Sequence, residues 1–70
     1  MKIVLSHHAQ KRLSERGIQF KDIQETIEML EYTISKANKK EAYRKIKGKI
    51  LKVVYVEEDK YIKVITLIWK

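Results

Sequence analysis

The clearest pattern in the chain is an apolar stripe in its first half. Four apolar side chains recur at intervals of three, four and three residues, namely Phe20, Ile23, Ile27 and Leu30. This spacing places them on one side of a helix, with charged residues on the other. Gln19 is a weaker N-cap than Ser or Asp, although Asp22 suits the positive end of the helix dipole. The pattern predicts an amphipathic helix over residues 20 to 30.

A shorter helix is predicted just before it. Ser6 can cap its N-terminus, and Ala9 and Leu13 are spaced i,i+4. Gly17 stands where the residue after a helix adopts a positive φ, and Ile18 stands where a Schellman motif makes its hydrophobic contact. We therefore expect a helix within residues 7 to 16 that ends at Gly17.

The rest of the chain has the composition of strands. β-branched and aromatic residues dominate from Tyr32 onward, with breaks at residues 37 to 40, 47 to 49 and 57 to 60. The predicted strands lie near residues 41 to 47, 50 to 56 and 61 to 69, after a short N-terminal strand at residues 2 to 5. The expected fold class is α+β, in the order β-α-α-β-β-β, with both helices on one face of an antiparallel meander. Residues 1 to 70 are expected to form a single domain.

Strand alternation then assigns side chains to the two faces of the sheet. If Val56 faces Tyr61 across the last turn, Lys52 faces Ile65 and Val54 faces Lys63, so the two lysines share a face. The other face is almost wholly apolar and should lie under the helices; it would carry Leu51, Val53, Tyr55, Ile62, Val64, Thr66 and Ile68. The open face is expected to carry the lysines together with Tyr61 and Trp69.

The pairing in the preceding hairpin is left with two alternatives. A two-residue turn at Gly48-Lys49 places Tyr43 and Lys45 on the open face. A three-residue turn places Arg44 there instead.

Charge is concentrated in one segment of the chain. The net charge is +7, and the positive and negative residues of the first 35 positions balance. Residues 36 to 52 contain eight cations against Glu41 alone, which accounts for the whole excess. Lys/Glu-rich surfaces of heat-stable proteins would mix both signs. A segregated positive charge favours a polyanionic partner, and RNA is the expected one.

Nine cations are candidates for contact with nucleic acid. They are Lys36, Lys39, Lys40, Arg44, Lys45, Lys47, Lys49, Lys52 and Lys63. A sheet that carries lysines and aromatic side chains on its open face could bind phosphates and stack bases.

Composition also excludes several classes of chemistry. The chain contains no Cys, so disulfides, Cys-ligated zinc and thiol nucleophiles are excluded, which suits a reducing cytoplasm. Its apolar runs are far shorter than the roughly 20 residues of a membrane span, so no membrane association is expected. His7 and His8 are adjacent, but neighbours on a helix point in different directions and no acidic ligand completes a site. We expect neither a metal nor another cofactor, and a cytoplasmic location.

The first helix carries a pattern that could serve catalysis. His8, Arg12 and Arg16 are spaced i, i+4 and i+8, so an imidazole and two guanidiniums line one stripe. A titratable base beside fixed cations is what RNA cleavage by 2′-hydroxyl attack requires. The structural alternative is that His8 packs between strand and helix while Arg12 pairs with Glu15 on the surface.

These residues belong to a string that resembles a known family. The string comprises His8-Ala9, Arg12-Leu13 and Arg16-Gly17-Ile18, and the hairpin adds Gly48-Lys49 and Leu51-Lys52-Val53-Val54. Together with the amphipathic second helix, it resembles a family of small bacterial and archaeal domains of unknown function, grouped with the RelE/ParE-like toxins and close to BrnT. The resemblance covers nearly the whole chain, and its sharpest part is the H-A-x-x-R-[LM]-x-x-R-G-I string.

The resemblance implies a toxin-antitoxin function. Better-understood relatives are ribonucleases that cleave mRNA, often on the ribosome, and are neutralised by a cognate antitoxin. They use basic and aromatic side chains on the sheet, which makes Tyr43 and Arg44, with Lys52 and Lys63, further candidates. A Tyr can stack on a base or donate a proton, and an Arg can hold a phosphate through two hydrogen bonds. Tyr43 could equally be a strand aromatic in the core.

The sequence therefore predicts three alternative functions. The leading one is a metal-independent RNA endonuclease toxin that uses His8, Arg12, Arg16, Tyr43 and Arg44. The second is a non-catalytic nucleic-acid-binding module of the same fold. The third is a protein-interaction domain that grips an acidic antitoxin or a gyrase-like target. An exposed edge on so small a sheet also suggests a homodimer or a donated partner strand.

Overall fold

The computed structural model describes residues 2 to 29 and 32 to 70 of the chain. Its elements in order are β1 (Lys2–Leu5), α1 (His7–Glu15), α2 (Phe20–Glu28), β2 (Tyr32–Lys36), β3 (Lys39–Ile46), β4 (Lys49–Glu57) and β5 (Tyr61–Trp69). The α+β class, the N-terminal strand and the two helices are confirmed. Leu30, the predicted end of the apolar stripe, lies outside the described residues.

The strands form one five-stranded sheet in the order β1-β5-β4-β3-β2. β1 runs parallel to β5, and the other neighbours are antiparallel. The prediction of three strands after the helices is wrong, because β2 forms a fourth, which pairs Lys36 with Lys39 across the turn at residues 37 and 38. Its short length and mixed polarity hid it, since only Tyr32 and Ile34 alternate with polar residues.

Both ends of α1 form as the sequence predicts. Ser6 Oγ accepts a hydrogen bond from the Ala9 N–H at 3.0 Å. At the other end Gly17 has a φ of 62°, and the Ile18 N–H donates to the Leu13 carbonyl at 3.1 Å. This last bond is the long-range bond of a Schellman motif, which turns the chain sharply from α1 towards α2.

The start of α2 is stabilised from inside the helix. The Gln19 N–H donates to Asp22 Oδ2 at 3.0 Å, which offsets the weak capping residue. Ile23 and Thr26 are fully buried, and the Thr26 hydroxyl donates to the Asp22 carbonyl at 2.7 Å. Phe20, the first residue of the predicted stripe, is instead largely exposed.

The core lies between the helices and one face of the sheet. α1 packs over β1 and β5, and α2 packs over β3 and β4. The buried cluster joins both layers and contains Ala9, Ile18, Ile23, Ala42, Leu51, Val53, Tyr55, Ile62, Val64 and Leu67. Burial of each large aliphatic side chain contributes roughly 1.5–3 kcal/mol, so this layer carries most of the stability of the fold.

The pairing of β4 with β5 differs from the prediction. Val56 faces Lys63 and Val54 faces Thr66, with a β-bulge at the step from Val54 to Tyr55. Because one residue of β5 is extra, the alternation reverses beyond the bulge. Leu67 is therefore fully buried, whereas Thr66 and Ile68, predicted in the core, lie on the opposite face.

The reversal also moves Trp69, which was predicted on the open face. Trp69 faces Leu51 across the pair and packs against the buried cluster on the helix side. Ser6 stabilises the bulge, because its Oγ donates to the Ile65 carbonyl at 2.9 Å while its N–H donates to the Val64 carbonyl at 2.9 Å. One residue thus caps α1 and holds the irregular backbone of β5.

The β3–β4 hairpin closes with a two-residue turn at Lys47-Gly48, one position earlier than the predicted Gly48-Lys49 turn. Ile46 faces Lys49, and both turn residues have positive φ, 51° at Lys47 and 84° at Gly48. Moving the turn by one residue shifts the pairing by two, so it keeps the faces of the first alternative. Tyr43 lies opposite Lys52 on the face away from the helices, and Arg44 lies opposite Leu51 on the helix side.

We call the sheet face that lies away from the helices the open face. It carries Tyr43, Lys52, Val54, Val56, Lys63 and Ile68. The prediction that Lys52 and Lys63 share this face is confirmed.

Candidate nucleic-acid interface

A cleft opens where the α1–α2 turn meets the tip of the β3–β4 hairpin. Its volume is about 560 Å³, and its walls come from four parts of the chain. The lining residues are Arg16, Gly17, Gln19, Lys21, Asp22, Glu25, Ile46, Lys47, Lys49 and Trp69. Residues far apart in sequence therefore form one concave surface at one end of the sheet.

Trp69 contacts residues from two walls of the cleft, the end of α1 and the β3–β4 hairpin. Its indole Nε1 donates to the Arg16 carbonyl at 3.3 Å, and that carbonyl belongs to the C-cap of α1. Lys49 Nζ lies 5.8 Å from the centre of the indole ring, within cation–π range. The ring is half-buried, so part of it remains accessible.

The hairpin turn positions the two lysines of the opposite wall. Positive φ at Lys47 and Gly48 gives the tight turn whose twist matches the flanking strands. Lys47 and Lys49 are both exposed and both line the cleft. Arg16, from the end of α1, is also exposed and faces the same space.

The cleft carries a positive excess. Four of its lining residues are cations and two are anions, namely Arg16, Lys21, Lys47 and Lys49 against Asp22 and Glu25. Asp22 already accepts the Gln19 N–H. An aromatic ring among cations is the combination that binds unpaired nucleotides, because the ring can stack on a base while the cations bind phosphates.

The remainder of the α1 stripe lies on the exposed side of the helix. Arg12 Nε is 3.4 Å from His8 Nε2, and Arg12 Nη1 is 2.9 Å from Glu15 Oε1. The Arg12 guanidinium is thus held between a neighbouring imidazole and a carboxylate. This is the surface pairing of Arg12 with Glu15 that the structural alternative predicts, while His8 itself is exposed rather than packed.

Tyr43 lies on the open face in a polar cluster. Its hydroxyl donates to Glu41 Oε1 at 2.9 Å, and Lys52 Nζ is 3.6 Å from Glu41 Oε2. The hydrogen bond from Tyr43 and the charge of Lys52 hold the pKa of Glu41 below its usual value. Only 4% of Tyr43 is exposed, so its ring offers little surface for base stacking.

Arg44 contacts the C-terminal end of α2. Its Nη1 donates to the Met29 carbonyl at 3.0 Å, at the C-cap of α2. This hydrogen bond satisfies a carbonyl that the end of the helix leaves without an intrahelical partner. Tyr43 and Arg44 therefore point to opposite faces and do not form one constellation.

The remaining cations divide between the two faces in the same way. Lys40, on the helix side, lies 2.6 Å from Glu57, and this hydrogen bond raises the pKa of Lys40. Strand pairing places a second group on the open face, made up of Lys36, Lys39, Lys45, Lys52 and Lys63. Alternation thus splits the basic window, and only Lys47 and Lys49 of that window line the cleft.

Comparison with protein families decides which family the chain represents. The family model described as "Domain of unknown function (DUF4258)" matches residues 5 to 69. This match spans almost the whole chain. The chain belongs to the DUF4258 family. Neither the search of curated proteins nor that of solved structures finds a match.

The DUF4258 match includes every residue that lines the cleft. Sequence reasoning selected Arg16, Lys47 and Lys49, but in two separate constellations, and it placed Trp69 on the wrong face. It missed Lys21, Asp22 and Glu25 as lining residues. The available signal was the pair of turn glycines, Gly17 and Gly48, which mark two turns that meet at one end of the sheet.

The described residues of this DUF4258 domain offer neither a cluster of metal ligands nor a membrane-spanning helix. Within residues 2 to 29 and 32 to 70, no three His, Asp or Glu side chains come together as a metal ion would require. No helix in those ranges is long and apolar enough to cross a membrane.

Proposed function

We propose that this DUF4258 domain binds single-stranded RNA in the cleft between the α1–α2 turn and the β3–β4 hairpin. The observation that carries the proposal is the convergence of Arg16, Lys47 and Lys49 around the half-buried ring of Trp69. The net charge of +7 supplies long-range attraction to a polyanion. The cleft supplies a local site.

The shape of the site favours an unpaired strand over a duplex. A base can stack on an aromatic ring only after it leaves its own stack, which loops and single strands permit. The cleft volume of about 560 Å³ is sufficient to enclose part of a strand rather than a groove of a duplex. The three cations at the rim are then available to the phosphates on either side of the stacked base.

Membership of the RelE/ParE-like superfamily forms part of this proposal. The signature string supplies one wall of the cleft through Arg16 and Gly17, and the order of a strand, two helices and a sheet fits that resemblance. A toxin of this kind would have a cognate antitoxin as its partner. Co-purification of the domain with the product of the adjacent gene tests that partner directly.

RNA cleavage is the second candidate function. It is favoured by one observation: His8 Nε2 lies beside the Arg12 guanidinium on the stripe that ends at Arg16. A neutral imidazole next to a fixed cation can accept a proton while the cation stabilises phosphate charge. Incubation of the domain with mRNA, with and without ribosomes, tests it; intact RNA in both reactions rules out cleavage and leaves binding.

The binding site can be tested with two charge-matched variants. K47Q/K49Q removes two cations from the cleft. K60Q/K63Q removes two exposed cations away from the cleft, one in the turn between β4 and β5 and one in β5. For a single strand each lost phosphate contact reduces the slope of log K against log salt by about 0.7. We expect K47Q/K49Q to reduce this slope by about 1.4 and K60Q/K63Q to leave it close to the parent value.

Trp69→Leu provides the test of stacking. It should weaken binding to single-stranded RNA by about tenfold while retaining the salt slope, because a stacked base contributes about 1–3 kcal/mol. Equal weakening by both lysine pairs would mean diffuse charge attraction without a site. Stronger weakening by K60Q/K63Q would move the site to the open face and contradict the proposal.

A further inference from the structure

The open face carries an apolar surface that neither helix covers. Its centre consists of Val54, Val56 and Ile68, which are half-buried on the side away from the core. Exposed apolar side chains extend this surface outward, at Ile34, Ile50 and Tyr61. Ile34 and Ile50 are each 37% exposed, so large side chains face solvent on two neighbouring hairpins. Apolar side chains grouped on one sheet face in this way, interspersed with Glu41 and Lys52, mark interaction sites.

Cations surround this apolar surface. Strand pairing places Lys36, Lys39, Lys45, Lys52 and Lys63 on the same face, and Lys2 lies beside Tyr61 at the β1 edge. Glu41 on this face is bound by Tyr43 and Lys52, so the positive excess comes from the other lysines, of which Lys36, Lys39 and Lys63 are exposed. A second copy of the same face would bring lysines against lysines, which is unfavourable. Charge complementarity calls for an acidic partner.

The chemistry of the surface favours protein over nucleic acid. Single-stranded RNA needs accessible aromatic rings, whereas the described side chains at the centre of this face are aliphatic, with Thr66 beside Val54. Tyr43 is buried with its hydroxyl on Glu41, and Tyr61 lies at the periphery. An aliphatic centre with a charged rim is instead the surface that an amphipathic helix covers.

We infer that the open face docks an acidic amphipathic helix from a partner protein. The sheet would then be covered on both sides, by its own α1 and α2 on one face and by the partner helix on the other. The apolar side of the helix contacts Val54, Val56 and Ile68. Its carboxylates lie near the lysines of the rim. This inference is independent of RNA binding, because the cleft lies on the helix side of the sheet.

The direct test is methyl NMR with spin-labelled peptides. The probe is a synthetic helical peptide of about 20 residues, with Leu on one side and Glu on the other; its counterpart has Lys in place of Glu. The Glu peptide should broaden the methyl signals of Val54, Val56 and Ile68 before those of Val53 and Val64. The latter pair comes from the same strands but faces the core, so it is an internal reference.

Two variants test the apolar and charged parts separately. V54T/I68T keeps β-branched side chains but makes the centre polar, and it should lower the affinity for the Glu peptide by about tenfold. Phe20→Gln, at an exposed site on α2, is the control and should leave the affinity unchanged. K39E/K63E reverses the charge at two exposed positions. It should lower the affinity for the Glu peptide and permit binding of the Lys peptide.

Several results would overturn the inference. The first is that the Glu peptide does not bind at concentrations up to about 1 mM, which is weaker than any useful docking affinity. The second is that the Lys peptide binds equally well, and the third is that signal broadening is confined to the cleft. A single-stranded RNA titrated in place of the peptide should leave the Val54 and Ile68 methyl signals unperturbed. If the RNA perturbs them instead, the open face is a nucleic-acid surface and the docking inference fails, whatever happens at the cleft.

Discussion

The two faces of the sheet are built from the same strands but differ in what covers them. Val53 and Val54 are adjacent in β4; Val53 is fully buried under the helices, and Val54 is only half-buried on the open face. The end of β5 sends apolar side chains to both faces, Leu67 to one and Ile68 to the other, so alternation alone could not assign this segment. What separates them is the packing of α1 and α2 on one side.

The faces also treat their cations differently. On the helix side each cation has a local structural contact: Lys40 with Glu57, Arg44 with the Met29 carbonyl, and Lys49 with the Trp69 ring. On the open face Lys52 also has such contacts, with Glu41 and the Tyr43 ring, while the exposed Lys39 and Lys63 border an apolar centre. A basic window that is continuous in sequence therefore lies on two surfaces, for which we propose separate uses. The following variants test how independent they are.

The largest difference between the faces should appear in core truncation. Leu51→Ala removes a fully buried side chain beneath the helices and should cost about 2–5 kcal/mol, enough to unfold much of so small a domain. Val54→Ala, on the open face of the same strand, should cost about 1 kcal/mol or less. Urea unfolding followed by circular dichroism measures both. Similar losses would mean that the open face is packed as tightly as the core.

Ser6→Ala should have the next largest effect, because Ser6 joins α1 to the bulge. The variant loses the cap on the Ala9 N–H and leaves the Ile65 carbonyl without its hydroxyl donor. We expect a loss of about 1–2 kcal/mol, with an early change in Trp69 fluorescence, because the bulge fixes the face of Trp69. Ser14→Ala, at an exposed position within α1, is the control and should be neutral or slightly stabilising.

These residues show how far sequence could predict the fold. The termini of α1 were predictable because capping is local: Ser6, Gly17 and Ile18 act on groups within a few residues. The turn at Gly48 was predictable to within one residue because tight hairpins need positive φ. The bulge in β5 was not, since it depends on a hydroxyl from the other end of the chain.

The candidate site was predictable only in parts. Arg16, Lys47 and Lys49 stand out by charge, but nothing local states that two turns meet at one end of the sheet. Trp69 was placed on the wrong face because its side depends on the bulge. Alternation allows only one of Tyr43 and Arg44 on the open face, and the sequence left open which one, because that choice depends on the position of the hairpin turn.

Arg44 offers a test of the helix side at smaller magnitude. Arg44→Met keeps an unbranched apolar stem but loses the hydrogen bond to the Met29 carbonyl, and it should cost about 1 kcal/mol. Lys63→Met, on the exposed rim of the open face, removes the same charge and should stay within about 0.5 kcal/mol of the parent. Thermal unfolding compares the two. A larger loss for Lys63→Met would contradict the division of the cations into structural and peripheral groups.

The smallest difference is expected in pH dependence, which compares the buried Tyr43 of the open face with the buried Tyr55 of the helix side. The pKa of Glu41 is held below its usual 4.5, first by the Tyr43 hydroxyl, so the stabilisation exists above that value and disappears as pH falls through the lowered pKa. The stability of Tyr43→Phe should therefore differ most from that of the parent near neutral pH and converge with it in acid.

Burial raises the pKa of Tyr55 on the helix side above 10.0. The stabilisation that depends on its neutral form is therefore present below 10.0 and disappears as pH rises through the raised pKa. Tyr55→Phe should diverge from the parent only in alkali. Urea midpoints measured across the acidic and alkaline ranges test both expectations, and a loss for Tyr43→Phe that persists unchanged in acid would contradict the role of Glu41.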